Sequence, residues 1–137
     1  MRRIDKLSEL TEMVGGQEEL YLRHSGGPES DADGTSRDYE SELVLPGLSV
    51  VPLKPPQWWS RPREDWIARQ IRKYAHLAEQ GDDRYAWILT GRVCDFGPDH
   101  EPLVTDFRPV AALTHDLLKE AEERYHDRFE VGRDSLQ

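Results

Sequence analysis

The feature that most constrains the fold is a run of β-branched and aromatic residues at positions 85–94. Tyrosine, tryptophan, isoleucine, threonine and valine dominate it, and these residue types are enriched in strands. It is the clearest strand pattern in the chain. The run therefore predicts a strand at the centre of a sheet.

Shorter strands are predicted on both sides of this run. Residues 19–24 contain apolar and aromatic positions between glycines, and residues 43–51 form two apolar runs that a Pro-Gly turn separates. After the central strand, a turn at 106–109 separates two more short apolar segments, 102–104 and 110–113. These segments predict a sheet of several short strands around a long one.

Three segments have apolar residues at helical spacing. The first covers residues 4–14, with Asp5 as its predicted N-cap and Gly15-Gly16 as its end. The main helix is predicted to follow Ser60 as a cap and Pro62 in the first turn, and to end at Gly81. Thr114 is predicted to cap the last helix. The main and last stripes consist of Trp66, Ile67, Ile71, Tyr74, Ala75 and Ala78, and of Leu117, Leu118, Ala121 and Tyr125.

This order of elements predicts an α+β fold with a small antiparallel or mixed sheet packed with about three helices. The strands are spaced too irregularly for successive βαβ units. With 137 residues, the chain is expected to form a single domain over 1–137. Within it we expect a long polar loop at 25–41, which is either functional or partly disordered, and a polar C-terminal tail at 132–137.

Composition limits the classes of partner. The formal net charge is -9, which argues against a duplex nucleic-acid partner, because its phosphates would repel an acidic surface. No apolar run approaches the roughly 20 residues that a membrane-spanning helix needs. The lone cysteine excludes an internal disulfide. We therefore expect a cytoplasmic protein that has neither a membrane nor duplex nucleic acid as a partner.

Metal and thiol chemistry receive little support from the sequence. The five histidines lack the close helical spacing of zinc sites, so we expect no metal site. Asp31, Asp33 and Asp38 share one loop without the register of a calcium-binding loop, and we expect them to be solvated. Cys94 has no sequence neighbour that would activate its thiol, and a small buried packing role is expected for it.

Aromatic and cationic residues concentrate before the main helix, where Trp58 and Trp59 precede Arg61. Such groups stack on planar ligands or anchor protein partners, although indoles also pack at core edges. At least one indole is expected to stay exposed. The leading hypothesis is a non-catalytic binding or regulatory module for a protein or small molecule, with this segment and the 25–41 loop as its contact surface. His24 and His100 are further candidate binding residues.

Arg23 in the first predicted strand, Ser49 in the second, and Glu101 after the Gly-Pro-Asp turn follow one another in an informative order. This order resembles the Arg-Ser-Glu arrangement of mono-ADP-ribosyltransferases, α+β proteins that bind NAD between two half sheets. The resemblance implies that the arginine holds the NAD phosphates, the serine supports the nicotinamide side, and the glutamate stabilises the cationic sugar. An NAD-binding protein that transfers ADP-ribose is therefore an alternative hypothesis, and NAD is a cofactor only under it.

A second resemblance covers nearly the whole chain. It rests on the segments at 21–25, 45–50, 58–69, 89–91 and 97–104. These are similar to a family of short actinobacterial proteins that form a domain of unknown function. The resemblance implies no activity, substrate or cofactor. It leaves open a third hypothesis, that the chain is an accessory subunit of a biosynthetic enzyme.

Overall fold

The computed structural model describes residues 1–73 and 83–129. It has three helices and eight strands within these ranges, which confirms the predicted α+β class. In chain order the elements are β1 (Arg2–Ile4), α1 (Leu7–Val14), β2 (Tyr21–Ser25), β3 (Ser36–Arg37), β4 (Val44–Leu45), β5 (Leu48–Ser49), β6 (Val51–Pro52), α2 (Arg63–Arg72), β7 (Tyr85–Phe96), β8 (Pro102–Leu113) and α3 (His115–Phe129).

Six strands form one mixed sheet in the order β1-β8-β7-β2-β6, and β5 also pairs with β8. The pairing of β1 with β8 is parallel, and the other pairs are antiparallel. β3 and β4 form a separate two-stranded sheet. The strand predicted as central is β7, and its position between β8 and β2 confirms that prediction.

Alternation along β7 separates two layers of the core, because successive side chains of a strand point to opposite faces. Ala86 and Ile88 belong to the larger apolar cluster, which includes buried residues of all three helices. Trp87 and Leu89 belong to a smaller cluster with Leu48 and other buried residues on the opposite face. The helices therefore cover one face of the sheet, while loops and short strands cover the other.

The predicted turn at 106–109 is not a strand break. Residues 102–113 form one continuous strand, β8, in which Asp106 has a φ of 52°. Register shifts in the β7–β8 ladder take up the irregularity, so that the backbone stays paired on both sides of it. The prediction of two short strands was wrong. Asp106, Arg108 and Pro109 lie in an irregular part of the β7–β8 ladder, and such an irregularity bends a strand without ending it.

Helix starts differ from their predictions in two places. Ile4 pairs with Leu113 in β1, so α1 begins only at Leu7, and Lys6 occupies the N-cap in place of Asp5. The N-cap of α2 is Pro62 in place of Ser60. Thr114 caps α3 as predicted, since its Oγ1 accepts a hydrogen bond from the amide of Leu117 at 3.3 Å.

Some predictions fall outside the described residues. The helical stripe positions 74, 75 and 78, the predicted helix end at Gly81, and the tail at 132–137 all lie there.

Candidate functional site

Three indoles form a cluster at the start of α2. Trp66 is buried on the helix, Trp59 is half-buried beside it, and Trp58 is 73% exposed. Their rings meet edge to face, with centroid distances of 5.0 Å for Trp59–Trp66 and 6.2 Å for Trp58–Trp66. This geometry is favourable for aromatic pairs. The prediction that one indole stays exposed is confirmed, because Trp58 projects from a base formed by the other two.

A buried carboxylate fixes the helix beneath these rings. The side chain of Asp65 is fully buried and accepts hydrogen bonds from Nε of Arg124 at 2.7 Å and Nε of Arg128 at 3.2 Å. Arg61 approaches the same carboxylate to 3.6 Å. Glu64 pairs with Arg124 at 3.3 Å on the rim. These ion pairs connect the first turn of α2 to the last turns of α3.

Guanidinium groups also stack on the rings of this region. Arg61 lies 4.2 Å from the ring centroid of Phe129 and 5.9 Å from that of Trp59. Its Nη2 also donates a hydrogen bond to the carbonyl oxygen of Arg128 at 2.8 Å. Phe129 stacks in turn on Tyr125 at 5.0 Å. We call the surface formed by Trp58, Trp59, Arg61, Trp66 and Phe129 the aromatic–arginine surface.

Arg23 lies in a second polar network, on β2. It forms a bidentate ion pair with Asp31, with Nε 2.7 Å from one carboxylate oxygen and Nη2 3.2 Å from the other. Its Nη1 donates to the carbonyl oxygen of Ser49 at 2.8 Å. Ser25 donates to Asp31 at 2.5 Å and accepts from the indole Nε1 of Trp87 at 3.0 Å. This network attaches the start of the polar loop to the sheet.

Arg23 and Ser49 are in contact in the structure, whereas Glu101 makes its hydrogen bond within a different segment. Glu101 ends the turn between β7 and β8, where its Oε2 accepts from the amide of Asp99 at 3.2 Å. Within residues 1–73 and 83–129, no hydrogen bond or ion pair joins Glu101 to Arg23. The guanidinium of Arg23 already binds a carboxylate, the type of partner that competes with a phosphate.

The two histidines proposed as binding residues occupy different environments. His24 is buried on β2 opposite Ala86. His100 is exposed in the β7–β8 turn with a φ of 62°, and its amide donates to the carbonyl oxygen of Gly97 at 3.0 Å. Neither histidine is part of the aromatic–arginine surface as defined above.

Two environment predictions were wrong. Asp31 is buried, since its ion pair with Arg23 compensates the loss of hydration, whereas Asp33 is exposed as expected. Hydrogen bonds from the amide and side chain of Thr35 lower the pKa of Asp33. Cys94 is exposed, because β7 continues beyond Gly91 with its side chains in solvent.

Sequence reasoning missed the burial of Asp65. The available signal was its place beside Trp66 and Ile67 in the predicted apolar stripe, since a carboxylate there must be paired if it is buried. Its partners on α3 could not be identified from local spacing.

The part of the chain that the structure describes shows neither a metal-binding cluster nor a membrane-spanning helix. These ranges contain no group of three or more histidine, cysteine, aspartate or glutamate residues arranged to hold a metal ion. Among the same residues, no helix has the length and apolar character required to cross a membrane.

Comparison with known proteins connects the chain to one family. A family model described as a family of unknown function, DUF6098, matches residues 1–135. Neither the curated proteins nor the solved structures contain a match to the chain. Because the family model covers nearly all 137 residues, the chain belongs to the DUF6098 family of unknown function.

Proposed function

We propose that this chain is a non-catalytic binding module that contacts a protein partner through the aromatic–arginine surface. The observation that carries this function is the 73% exposure of Trp58 on a base of two packed indoles. Exposing an indole leaves a large apolar area in water, and burying it against a partner recovers the hydrophobic free energy. Tryptophan and arginine are enriched among residues that dominate binding energy.

The base of this surface is held in place before any partner binds. Trp59 donates a hydrogen bond from Nε1 to the carbonyl oxygen of Pro62 at 3.1 Å, and Asp65 connects the helix below it to α3. Ordering side chains on association costs free energy, so a preformed base favours binding. This geometry supports a rigid anchor residue on a fixed surface.

Charge defines the chemistry of the partner. Three guanidinium groups, those of Arg61, Arg124 and Arg128, surround the two carboxylates of Glu64 and Asp65, and each of the three remains partly exposed. The local excess of positive charge contrasts with the net charge of -9 for the whole chain. We therefore infer a protein partner with an apolar pocket for Trp58 and acidic residues at its rim.

The test uses photocrosslinking in native cells followed by binding to the purified partner. A benzophenone amino acid is placed at position 58 and, as the matched control, at position 39, because Tyr39 is 75% exposed but lies in the turn of the separate β3–β4 sheet. We expect one protein to crosslink from position 58 and not from position 39. The purified protein should then lose affinity for Trp58→Ala by about tenfold or more and retain it for Tyr39→Ala.

Several results would overturn this function. They are an absence of any crosslinked protein specific to position 58, equal affinity of the partner for wild type and Trp58→Ala, and crosslinking only to a second copy of this chain. Raising the salt concentration should weaken binding to a partner with an acidic rim, and salt-independent binding would contradict the inferred charge chemistry.

The ADP-ribosyltransferase alternative has one supporting observation, the hydrogen bond from Arg23 to the carbonyl oxygen of Ser49. Calorimetric titration with NAD separates it from the binding module. Saturable NAD binding that Arg23→Gln abolishes would support the alternative, and binding of NAD unaffected by that change would contradict the role assigned to Arg23.

A further inference from the structure

A cleft of about 400 Å³ lies between the end of α2 and α3. Among the described residues it is lined by Arg69, Arg72, Lys73 and Tyr125. Three of the four carry a positive charge, although the chain as a whole has a net charge of -9. The volume falls within the range typical of small-molecule sites.

Carboxylates do not neutralise these three cations within residues 1–73 and 83–129. Arg124 and Arg128 of α3 differ in this respect, because both bind Asp65 at the start of α2. Arg69 and Arg72 instead make ring contacts, with Arg69 5.3 Å from the centroid of Trp66 and Arg72 5.4 Å from that of Tyr125. A ring contact orients a guanidinium but leaves its charge and most of its N–H donors available.

One N–H donor of Arg72 is unsatisfied in the part of the chain that the structure describes. Its Nε is buried and has no hydrogen-bond acceptor among the residues that the structure describes. A buried donor without an acceptor is costly, and charged donors are the most costly of all. An oxyanion in the cleft would bind this guanidinium through its Nη groups, since Nε has almost no exposed surface.

The three positive charges of the cleft also repel one another. Partial burial of the Lys73 ammonium, followed by the positive charge of Arg69, lowers its pKa, although the residue as a whole is exposed. Repulsion between neighbouring cations is relieved when an anion binds between them. The arrangement therefore favours a ligand that has several negative charges.

We propose that this cleft binds the phosphate or pyrophosphate group of a small molecule. Guanidinium groups match phosphate oxygens with paired N–H donors, and the ammonium of Lys73 adds a compact point charge. A single carboxylate would leave most of the positive charge uncompensated. The cleft residues differ from those of the aromatic–arginine surface, although Arg69 contacts Trp66 and Tyr125 contacts Phe129 of that surface. The phosphate site does not depend on the protein-binding role proposed for Trp58.

Isothermal titration calorimetry of the full chain with pyrophosphate at low ionic strength tests this site. Arg69→Gln, Arg72→Gln and Lys73→Gln each remove one charge of the cleft. The matched controls Arg37→Gln and Lys54→Gln remove one charge from exposed positions elsewhere. We expect each cleft variant to bind pyrophosphate about tenfold more weakly, the loss typical of one charge-assisted hydrogen bond, and the controls to change affinity by less than about twofold.

Acetate, with one negative charge, should bind much more weakly than pyrophosphate. Circular dichroism confirms that each variant is folded, and Lys73→Gln decides the result if Arg72→Gln unfolds through loss of its ring contact. The site is refuted if pyrophosphate gives no saturable heat, if acetate binds equally well, or if the control variants lose as much affinity as the cleft variants. Trp58→Ala should leave pyrophosphate binding unchanged, so the two proposals can fail separately.

Discussion

Replacing Asp65 by asparagine removes the negative charge shared by three arginines while keeping the size of the side chain. The carboxylate is fully buried, and its two hydrogen bonds, at 2.7 and 3.2 Å, come from charged donors. Hydrogen bonds to charged groups contribute about 1.5–3 kcal/mol each. Loss of both would therefore cost up to about 6 kcal/mol if the arginines could not rehydrate.

The arginines can in fact recover part of their hydration. The side chains of Arg124 and Arg128 are 30% and 46% exposed, so they turn towards water more easily than a fully buried cation. Breaking a buried ion pair by removing one partner costs about 3–5 kcal/mol, and exposure of the remaining partners reduces this cost. We expect Asp65→Asn to lower the free energy of unfolding by about 2–4 kcal/mol.

Urea denaturation followed by circular dichroism measures this change. The matched control is Glu64→Gln, since Glu64 is the preceding carboxylate, is partly exposed and, among the described residues, forms one ion pair, with Arg124 at 3.3 Å. Its loss should cost no more than about 1 kcal/mol, as for a surface ion pair. Equal destabilisation by the two variants, or a change within about 0.5 kcal/mol for Asp65→Asn, would refute the structural role assigned to the buried carboxylate.

Two further predictions concern the sheet. Gly91→Ala should destabilise the protein by about 1–3 kcal/mol in urea denaturation, because the new Cβ would press on Cγ1 of the buried Val104 and lie 3.0 Å from a backbone oxygen of β8. Gly97→Ala is its control, since the obstructing group is the flexible carboxylate of Glu101, and equal losses would contradict this packing argument. Burial, followed by the charge of Glu19, raises the pKa of Tyr21 above its ordinary value of 10.0. The neutral phenol is thus favoured in the folded state, and the stability it contributes is present below pH 10.0 and decreases as pH rises towards the folded-state pKa. Subtracting the ultraviolet titration of Tyr21→Phe from that of wild type should reveal a phenol that ionises above pH 10.0, and ionisation at or below it would contradict the assigned burial effect.

The parts of the fold that could be predicted depend on local pattern. The centre of the sheet at β7 and the cap at Thr114 follow from residues adjacent in sequence. The strand β1 could not be recognised in this way. Ile4 fits the helical spacing of α1, yet it pairs with Leu113, more than a hundred residues away, and such a partner leaves no local trace.

The candidate site has the same division between local and distant information. The tryptophan segment was recognisable from composition, since Trp58 and Trp59 adjoin Arg61. The buried environment of Asp65 depends on Arg124 and Arg128, which follow it in the sequence by 59 and 63 residues. No spacing rule connects residues so far apart. The burial of Asp31 likewise depends on the bidentate geometry of Arg23, which only the folded chain displays.

The distribution of tryptophans has a spectroscopic consequence. Three of the four indoles form the cluster at α2, whereas Trp87 is fully buried against the opposite face of the sheet. Acrylamide should quench the emission of Trp58 readily and that of Trp87 hardly at all, because collisional quenching requires contact with solvent. Intrinsic fluorescence can therefore follow the helical layer and the sheet of the same molecule separately, without any added label, once single-tryptophan variants have assigned each component.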